Sequence, residues 1–342
     1  MTASARLAAL VACIVVAVPG QSPDISQYAS DLRGADTLLS QGDFNGVIET
    51  LRPWPERLPD RPEAHHFLGL AHYRLRNFSE AIQHLTAALE REEPGSAPWE
   101  QTVEILGVAY FFQGRWQEAE PLLEQAAGWK PHDSELLYTL AMTYVQSGRG
   151  NQARVPFSKI FQVDPASPQA FALTAELFLQ ENRLSDAEAL LLKARELQPG
   201  LSGVNYALGV IELRRGDYAN ATALFRKDLE KSPQHAAAWH SLGEALLGLG
   251  RQAESVEALK RAIWLNTRSS RSYILLAKIY IDQNLMELAE DTVRRVIQVD
   301  PQSSEAHFLQ SRIYYKTGRP DRAREHLGIA EELRRPEHRS PP

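Results

Sequence analysis

Small residues recur along this chain with a period of about 34 residues, and this repeat constrains the fold more than any other feature. The first small position is occupied nine times, by Ala35, Gly69, Gly107, Ala141, Ala175, Gly209, Gly243, Ala277 and Ser311. Successive members keep one spacing, except that a four-residue insertion lengthens the interval between Gly69 and Gly107. The second small position follows twelve residues later, at Val47, Ala81, Ala119, Ala153, Ala187, Ala221, Ser255, Ala289 and Ala323. A fixed period in this range predicts a solenoid of repeated units, each packed on its neighbours.

Each repeat has the pattern of two amphipathic helices joined by a tight turn. Between residues 236 and 267, Trp239 and Leu246 suit one face of a first helix, and Leu259 suits a second helix. Glycine or asparagine, which adopt left-handed backbone readily, occupies the turn at Gly42, Gly114, Gly148, Asn182, Gly216, Gly250, Asn284 and Gly318. Prolines, which cannot continue a helix, follow the second segment at Pro59, Pro131, Pro165, Pro199, Pro233 and Pro301.

The small residues are predicted to let the two helices of one repeat approach closely. The first and last repeats are the weakest matches to the pattern. Pro53 and Pro55 interrupt the second helix of the first repeat, and Gln310 and Pro320 occupy positions of the last repeat that are apolar elsewhere. Terminal repeats are expected to be atypical because they cap the stack.

Trp239, Leu242 and Gly243 form a W-x-x-L-G run, which resembles the start of a tetratricopeptide repeat. The family's other aromatic positions are matched by Tyr110, Tyr144, Tyr280, Trp116 and Tyr218. The resemblance implies an all-α fold, a right-handed superhelical solenoid of about nine helix-turn-helix repeats. These repeats tile residues 28–337, near 28–61, 62–95, 100–133, 134–167, 168–201, 202–235, 236–269, 270–303 and 304–337. Residues 21–27 are then a short N-terminal segment, and 338–342 a disordered tail.

The first twenty residues differ from the rest of the chain. Arg6 is the only charged residue among them, and residues 7–18 form an unbroken apolar run that ends shortly before Gly20. This is the layout of a secretory signal peptide, and the run is too short to span a bilayer comfortably. We therefore expect cleavage before Gln21, export to the periplasm or the cell exterior, and no transmembrane segment in the mature chain.

Cys13, the only cysteine of the chain, lies inside this apolar run. With the preceding residues 10–12 it resembles the lipobox of bacterial lipoproteins, so a lipid anchor at Cys13 is an alternative. A lipobox normally closes the apolar segment, whereas this run continues to Val18, and we therefore favour Cys13 as part of the signal core. Cleavage after Gly20 would leave no cysteine for a disulfide or for thiol chemistry.

The sequence contains no motif that assigns a reaction: no G-x-S-x-G, no G-x-x-x-x-G-K-[ST], no H-E-x-x-H and no cysteine cluster. One repeat holds four histidines that invite a metal site: His65, His66, His72 and His84. Because His65 and His72 fill aromatic positions of the family, we expect imidazoles packed as flat rings instead. We predict no catalysis, cofactor or metal. The formal net charge of −6 also disfavours nucleic acid, whose helical-repeat readers need basic surfaces.

In superhelices of the resembled family, the first helices line the concave surface. The sites on that surface lie three residues before, one after and four after the first small position. In repeats two to six they are mostly apolar or aromatic, although solvent-facing helix positions are usually polar, and such a strip usually marks a binding site. We therefore predict as partner-binding residues His66, Leu70, Tyr73, Val108, Phe111, Tyr138, Met142, Val145, Tyr206, Val210, Lys278 and Arg312. The alternative is a tight superhelix in which the strip packs on adjacent repeats.

These features predict an exported interaction scaffold that binds a partner protein or an extended peptide in its concave groove. The Lys and Asn with which some family members hold a terminal carboxylate are absent at the matching positions, so that function is not carried over. One alternative is an accessory subunit of an envelope secretion or polymer-export machine. Another is a carbohydrate-active or hydrolytic enzyme, which is disfavoured because the repeats leave no separate catalytic domain.

Overall fold

The computed structural model describes residues 23–335, and within that range every regular element is an α-helix. The predicted signal peptide at 1–20, with Cys13, and the predicted tail at 338–342 lie outside the described residues. The helices are α1 (Pro23–Gln41), α2 (Phe44–Leu51), α3 (Trp54–Arg57), α4 (Pro62–Arg74), α5 (Phe78–Leu89), α6 (Ala97–Phe112), α7 (Trp116–Trp129), α8 (Ser134–Gln146), α9 (Gly150–Ile160), α10 (Pro168–Gln180), α11 (Leu184–Leu197), α12 (Val204–Arg215), α13 (Tyr218–Lys231), α14 (Ala236–Gly248), α15 (Gln252–Leu265), α16 (Ser270–Asp282), α17 (Met286–Val299), α18 (Ser304–Lys316) and α19 (Pro320–Leu333). Helix α1 begins inside the segment 21–27, ahead of the first predicted repeat.

The helices fall into two compact units that divide between Thr174 and Ala175, inside α10. We call residues 23–174 the N-terminal half and residues 175–335 the C-terminal half. The single array over 28–337, with its nine repeat boundaries, stays a prediction.

Consecutive helices pack in pairs, which confirms the predicted helix-turn-helix units. In the N-terminal half the pairs are α1–α2, α4–α5, α6–α7 and α8–α9, and in the C-terminal half they are α12–α13, α14–α15, α16–α17 and α18–α19. The second helix of a pair also contacts the first helix of the next pair, as α5 contacts α6 and α13 contacts α14. Such a second helix is thus covered on one side by its own partner and on another by the following repeat, whereas no helix follows α19 within residues 23–335.

Neighbouring side chains leave no room for larger residues at the small positions. A β-carbon added at Gly69 would lie 2.6 Å from Cδ2 of Leu85, and one added at Gly209 would lie 2.7 Å from Cε1 of Phe225. At the second small position, full burial is shared by Ala81, Ala119, Ala153, Ala187, Ala221 and Ala289. The predicted packing role of the small residues is therefore confirmed.

The tight turns between paired helices have left-handed backbone at every position where glycine or asparagine predicted it. These positive φ angles occur at Gly42, Gly114, Gly148, Asn182, Gly216, Gly250, Asn284 and Gly318. The turn between α4 and α5 has the same geometry, with φ of 62° at Arg76. An arginine gives no sequence signal for this conformation, which L-residues with a β-carbon adopt at a cost of about 1–2 kcal/mol.

Prolines end the second helices of the repeats as predicted, for example at Pro131 after α7 and at Pro233 after α13. The predicted interruption of the first repeat is also present, because α2 ends at Leu51 and the short α3 begins at Trp54. Two helices nevertheless contain internal prolines, Pro121 in α7 and Pro156 in α9. In the last repeat, Pro320 is the first residue of α19, where a missing N–H removes no helical hydrogen bond.

Candidate functional site

A groove opens in the N-terminal half between α4, α6 and α8, the first helices of three successive pairs, with a volume of about 540 Å³. Helix α6 contributes lining residues from its first turn, at Ala97, to its last, at Phe112. A helix of this length spans about 24 Å, which matches about seven residues of extended chain. The pairing of helices in repeat order brings these three segments together.

Aromatic side chains form much of the apolar lining of this groove: Tyr73, Phe112 and Trp129. Phe112 is 51% exposed and Trp129 is 38% exposed, large fractions for such side chains. Each ring is held by a second ring, since Phe112 stacks on Phe78 at 5.0 Å between centroids and Trp129 lies 5.5 Å from Trp99. Burial raises the pKa of the Tyr73 hydroxyl, which therefore stays protonated and able to donate at neutral pH. The rings are thus exposed and pre-positioned.

Carboxylates outnumber cations in the groove. Its acidic lining residues are Glu100, Glu104, Asp133 and Glu135, and its basic ones are Arg74 and Lys130. Lys130 forms an ion pair with Glu104, and the Asp133 carboxylate accepts hydrogen bonds from the first backbone N–H groups of α8. Within residues 23–335, the carboxylates of Glu100 and Glu135 form no ion pair and accept no hydrogen bond. The groove therefore favours cationic groups beside its aromatic surface.

A buried polar cluster adjoins the groove at His66. The His66 Nδ1 atom lies 2.8 Å from Oγ1 of Thr102 and 3.0 Å from Oε1 of Glu92. Glu92 belongs to the loop between α5 and α6, within the segment that the four-residue insertion between Gly69 and Gly107 lengthens. The loop between α5 and α6 thus supplies a carboxylate that is buried against α4, the first helix of the preceding pair.

The predicted strip residues of the N-terminal half have different surroundings. His66, Tyr73 and Val108 line the groove. Full or nearly full burial is shared by His66, Leu70, Met142 and Val145, which leaves these side chains little surface for a partner. Phe111 packs edge-on against Trp116 at 5.4 Å, and Tyr138 is 45% exposed but lies outside the groove lining. Part of the strip is therefore packed.

The predicted residues of the C-terminal half do not line this groove. Tyr206 and Val210 are half-buried against the core of their own half, and the Tyr206 ring lies 4.6 Å from His235. Lys278 forms an ion pair with Glu305 at 2.6 Å. Arg312 is exposed near the end of α18. The partner-binding role of all twelve strip residues stays a prediction.

Sequence reasoning missed the most exposed rings of the groove. It selected Phe111 by its position in the helical pattern, but Phe111 is half-buried against Trp116, whereas Phe112 is exposed. Trp129 was overlooked because it belongs to a second helix rather than a first helix. Two adjacent aromatic residues at the end of α6 were the available signal, since a helix end at the surface is usually polar.

The histidines of α4 and α5 pack as rings, as predicted. His72 and His84 stack with ring centroids 5.6 Å apart and planes within 9°, and the Nδ1 atoms of His65 and His84 lie 3.0 Å apart. Burial, together with the neighbouring imidazoles, lowers the pKa of His84 to about 4. Burial also lowers the pKa of His65 and of His72. All three rings therefore favour the neutral form at pH 7.

Within residues 23–335, no cluster of three or more His, Cys, Asp or Glu side chains has a geometry that could hold a metal ion. None of the helices there combines the length and the hydropathy required to cross a bilayer.

Three family models match the sequence, and each describes a tetratricopeptide repeat. One matches residues 62–93 and a second matches residues 111–155. The third matches three segments, 138–202, 206–272 and 274–334, which together cover more than half of the chain. No curated protein matches the sequence.

Several solved structures are similar to this chain at low sequence identity. PilF of Pseudomonas aeruginosa is 20% identical with a TM-score of 0.49, over 59% of this chain and 91% of PilF. YrrB, a tetratricopeptide repeat protein with an unusual peptide-binding site, is 21% identical with a TM-score of 0.44, over 52% of this chain and 92% of YrrB. The Cut9–Hcn1 hetero-tetramer of APC/C matches 90% of this chain and 59% of its own, at 18% identity and a TM-score of 0.44.

Proposed function

Because this chain belongs to the tetratricopeptide repeat family, we propose that it is a non-catalytic protein-interaction scaffold that binds an extended peptide segment in the groove between α4, α6 and α8. The observation that carries the proposal is the presence of exposed, pre-positioned rings in a groove that also contains carboxylates without cationic partners. Apolar surface of this kind in a concave site is typical of ligand pockets.

The preferred segment carries apolar and basic side chains. Its apolar groups pack against Tyr73, Phe112 and Trp129, which offer large contact area with little loss of side-chain freedom. Its lysine or arginine side chains pair with Glu100 and Glu135. Pre-positioned rings lower the entropic cost of binding, because Phe78 and Trp99 already hold two of them in place.

A peptide array tests this proposal. Fifteen-residue peptides that vary in basic and aromatic content are probed with the wild-type protein and with the Phe112→Ser/Trp129→Ser variant. Removal of two anchoring rings is expected to weaken the best peptides by at least tenfold, since aromatic hot spots contribute about 2 kcal/mol or more each. The matched control is Trp264→Ser, which removes a ring that is 67% exposed in the C-terminal half.

The charge preference is tested with Glu100→Gln/Glu135→Gln. This variant is expected to lose affinity for basic peptides while it keeps affinity for neutral aromatic ones, and the loss is expected to shrink at high salt. Equal binding by wild-type protein and both groove variants, with unchanged circular dichroism, would remove the groove from the proposal.

We further propose that the protein is exported, on the basis of Arg6, the apolar run 7–18 and Gly20. N-terminal sequencing of the protein from its native host is expected to begin at Gln21. A mature chain that begins at a lipid-modified Cys13 would replace the free exported form with an anchored one. A chain that retains residues 1–20 would contradict export by a cleaved signal.

A further inference from the structure

The last helical pair has an apolar face with a basic rim, which we call the end face. It is a cavity of about 480 Å³ between α18 and α19, where Phe308, Tyr315 and Leu327 contribute apolar surface. Its basic residues are Arg312, Lys316 and Arg324. Tyr315 is 76% exposed, more than any other large hydrophobic side chain among the described residues.

Earlier repeats of the C-terminal half show what covers this face. Leu327 lies one repeat after Val293 and two repeats after Leu259, at the same repeat position. Val293 and Leu259 have no exposed surface, whereas Leu327 is 37% exposed. Val293 of α17 lies in one hydrophobic cluster with Ala306 and Leu309 of α18, the first helix of the next pair, and α18 packs on α17. Within residues 23–335 no helix follows α19 to do the same for Leu327.

The pairs α16–α17 and α18–α19 also differ in whether the cation at one repeat position has an acidic partner. Lys278 in α16 and Arg312 in α18 are equivalent residues of successive repeats. Lys278 forms an ion pair at 2.6 Å with Glu305, which also comes from α18. Arg312 has no acidic partner within residues 23–335, nor has Lys316, four residues later on the same face of α18. Like charges at this spacing destabilise a helix unless an anionic group neutralises them.

We propose that the end face binds an acidic amphipathic helix of a partner protein, seated as α18 is seated on α16 and α17. The α18 helix supplies the template for this occupant. Its apolar residues take the place of Ala306 and Leu309 against Leu327 and Tyr315, and a carboxylate takes the place of Glu305 beside Arg312. Further acidic side chains pair with Lys316. The docking is continuous with an interface that the protein already makes between its own repeats.

The probe is a fluorescein-labelled helical peptide that copies residues 302–317 and carries Arg312→Glu and Lys316→Glu. These two changes make it acidic and leave Glu305, Ala306 and Leu309 in place. Binding to the full-length protein is followed by fluorescence anisotropy, and circular dichroism verifies that the peptide is helical. We expect saturable binding that weakens at least tenfold with Leu327→Asp and with Arg312→Glu/Lys316→Glu in the protein.

The matched control is Arg195→Glu/Lys227→Glu, which reverses two exposed charges of α11 and α13 and is expected to leave binding unchanged. The charge-reversed Arg312→Glu/Lys316→Glu protein is expected to prefer a second peptide that carries lysine in place of Glu305 and at the two changed positions. Absence of saturable binding by the helical probe, or equal binding by wild type and both end-face variants, overturns the proposal.

Two other occupants have distinct outcomes. A wild-type dimer in sedimentation velocity that Leu327→Asp dissociates assigns the end face to a second copy and overturns the partner proposal. Probe binding only by a chain that ends at Arg335 assigns it to residues 336–342, with the same consequence. Neither outcome bears on the groove, whose variants lie in the other half of the chain.

Discussion

The pairs α4–α5 and α18–α19 are two versions of one repeat with different neighbours. Each has a histidine pair with a sequence separation of 19 residues, His65 with His84 and His307 with His326, and in both the Nδ1 atoms lie 3.0 Å apart. The α4–α5 pair is packed between α2 and α6, whereas within residues 23–335 the α18–α19 pair packs on the preceding repeat alone. The repeat position therefore sets the geometry within a pair, and the neighbouring repeats set its burial.

The surroundings of the two histidine pairs also differ, because a different residue type stands beside each pair on its own first helix. A third imidazole, His72, stacks on His84, and burial lowers the pKa of His84 to about 4. Tyr314 takes the equivalent place beside His326, with the Arg319 guanidinium 4.4 Å from the tyrosine ring. Burial and the neighbouring His307 lower the pKa of His326 as well. A duplicated motif thus has a different third ring in each pair.

The largest expected difference concerns the leucines at equivalent positions. Leu85 has no exposed surface and Leu327 is 37% exposed. Leu85→Ala is expected to lower the free energy of unfolding by about 2–5 kcal/mol, because it leaves a cavity in a packed core. Leu327→Ala is expected to cost about 1 kcal/mol or less, since less burial is lost. Urea unfolding of both variants measures this, and equal losses would contradict the difference in burial.

The small positions provide a second comparison. A β-carbon at Gly69 would lie 2.6 Å from Cγ of Leu85 and 3.2 Å from its backbone nitrogen, so Gly69→Ala is expected to cost about 1–3 kcal/mol by overpacking. Ser311→Ala instead removes the hydrogen bond that the Ser311 hydroxyl donates to the Ala323 carbonyl at 2.7 Å, with an expected cost of about 1 kcal/mol. Thermal unfolding distinguishes them, and a Gly69→Ala variant as stable as wild type would refute the close approach.

Acid is expected to weaken the α4–α5 pair before the α18–α19 pair. Because the folded-state pKa of His84 is below its ordinary value of 6.5, the unfolded chain takes up the proton first, and stability falls as the pH decreases from about 6.5 to about 4. With allowance for solvent screening, the expected loss is about 1–2 kcal/mol. Hydrogen exchange at pH 7 and pH 5 measures local protection in each pair. His84→Gln is expected to remove most of the pH dependence in α4–α5, with His326→Gln as the matched variant.

The turns offer the smallest test of the comparison. Arg76 and Gly318 occupy the same turn position and have φ angles of 62° and 73°. Arg76→Gly is expected to raise stability by up to about 1 kcal/mol, because it relieves a left-handed conformation that disfavours a β-carbon. Gly318→Arg is expected to lower stability by a similar amount. Chemical denaturation of the two variants checks the opposite signs, and changes of the same sign would rule out this account of the turns.

Much of the fold was predictable because it depends on local rules. Glycine and asparagine predicted eight turns, and Pro53 predicted the early end of the helix that stops at Leu51. The α4–α5 turn at Arg76 escaped prediction, because packing of the paired helices enforces a conformation that the residue itself does not prefer. Three of the residues that line the groove, His66, Tyr73 and Val108, belong to the predicted strip, whose binding role stays a prediction, while Phe112 and Trp129 were missed.

The sequence by itself determined the repeat, the pairing of helices and the positions of the small residues. These follow from periodicity and steric volume, which act over a few turns of helix. Only the tertiary structure decided which equivalent residues are exposed. Phe111 and Phe112 are adjacent in sequence, and Val293 and Leu327 share one repeat position, yet in each pair the two residues have different surroundings. Burial depends on which neighbouring helix covers a surface. The repeat pattern treats residues at one repeat position as equivalent and does not indicate whether such a helix is present.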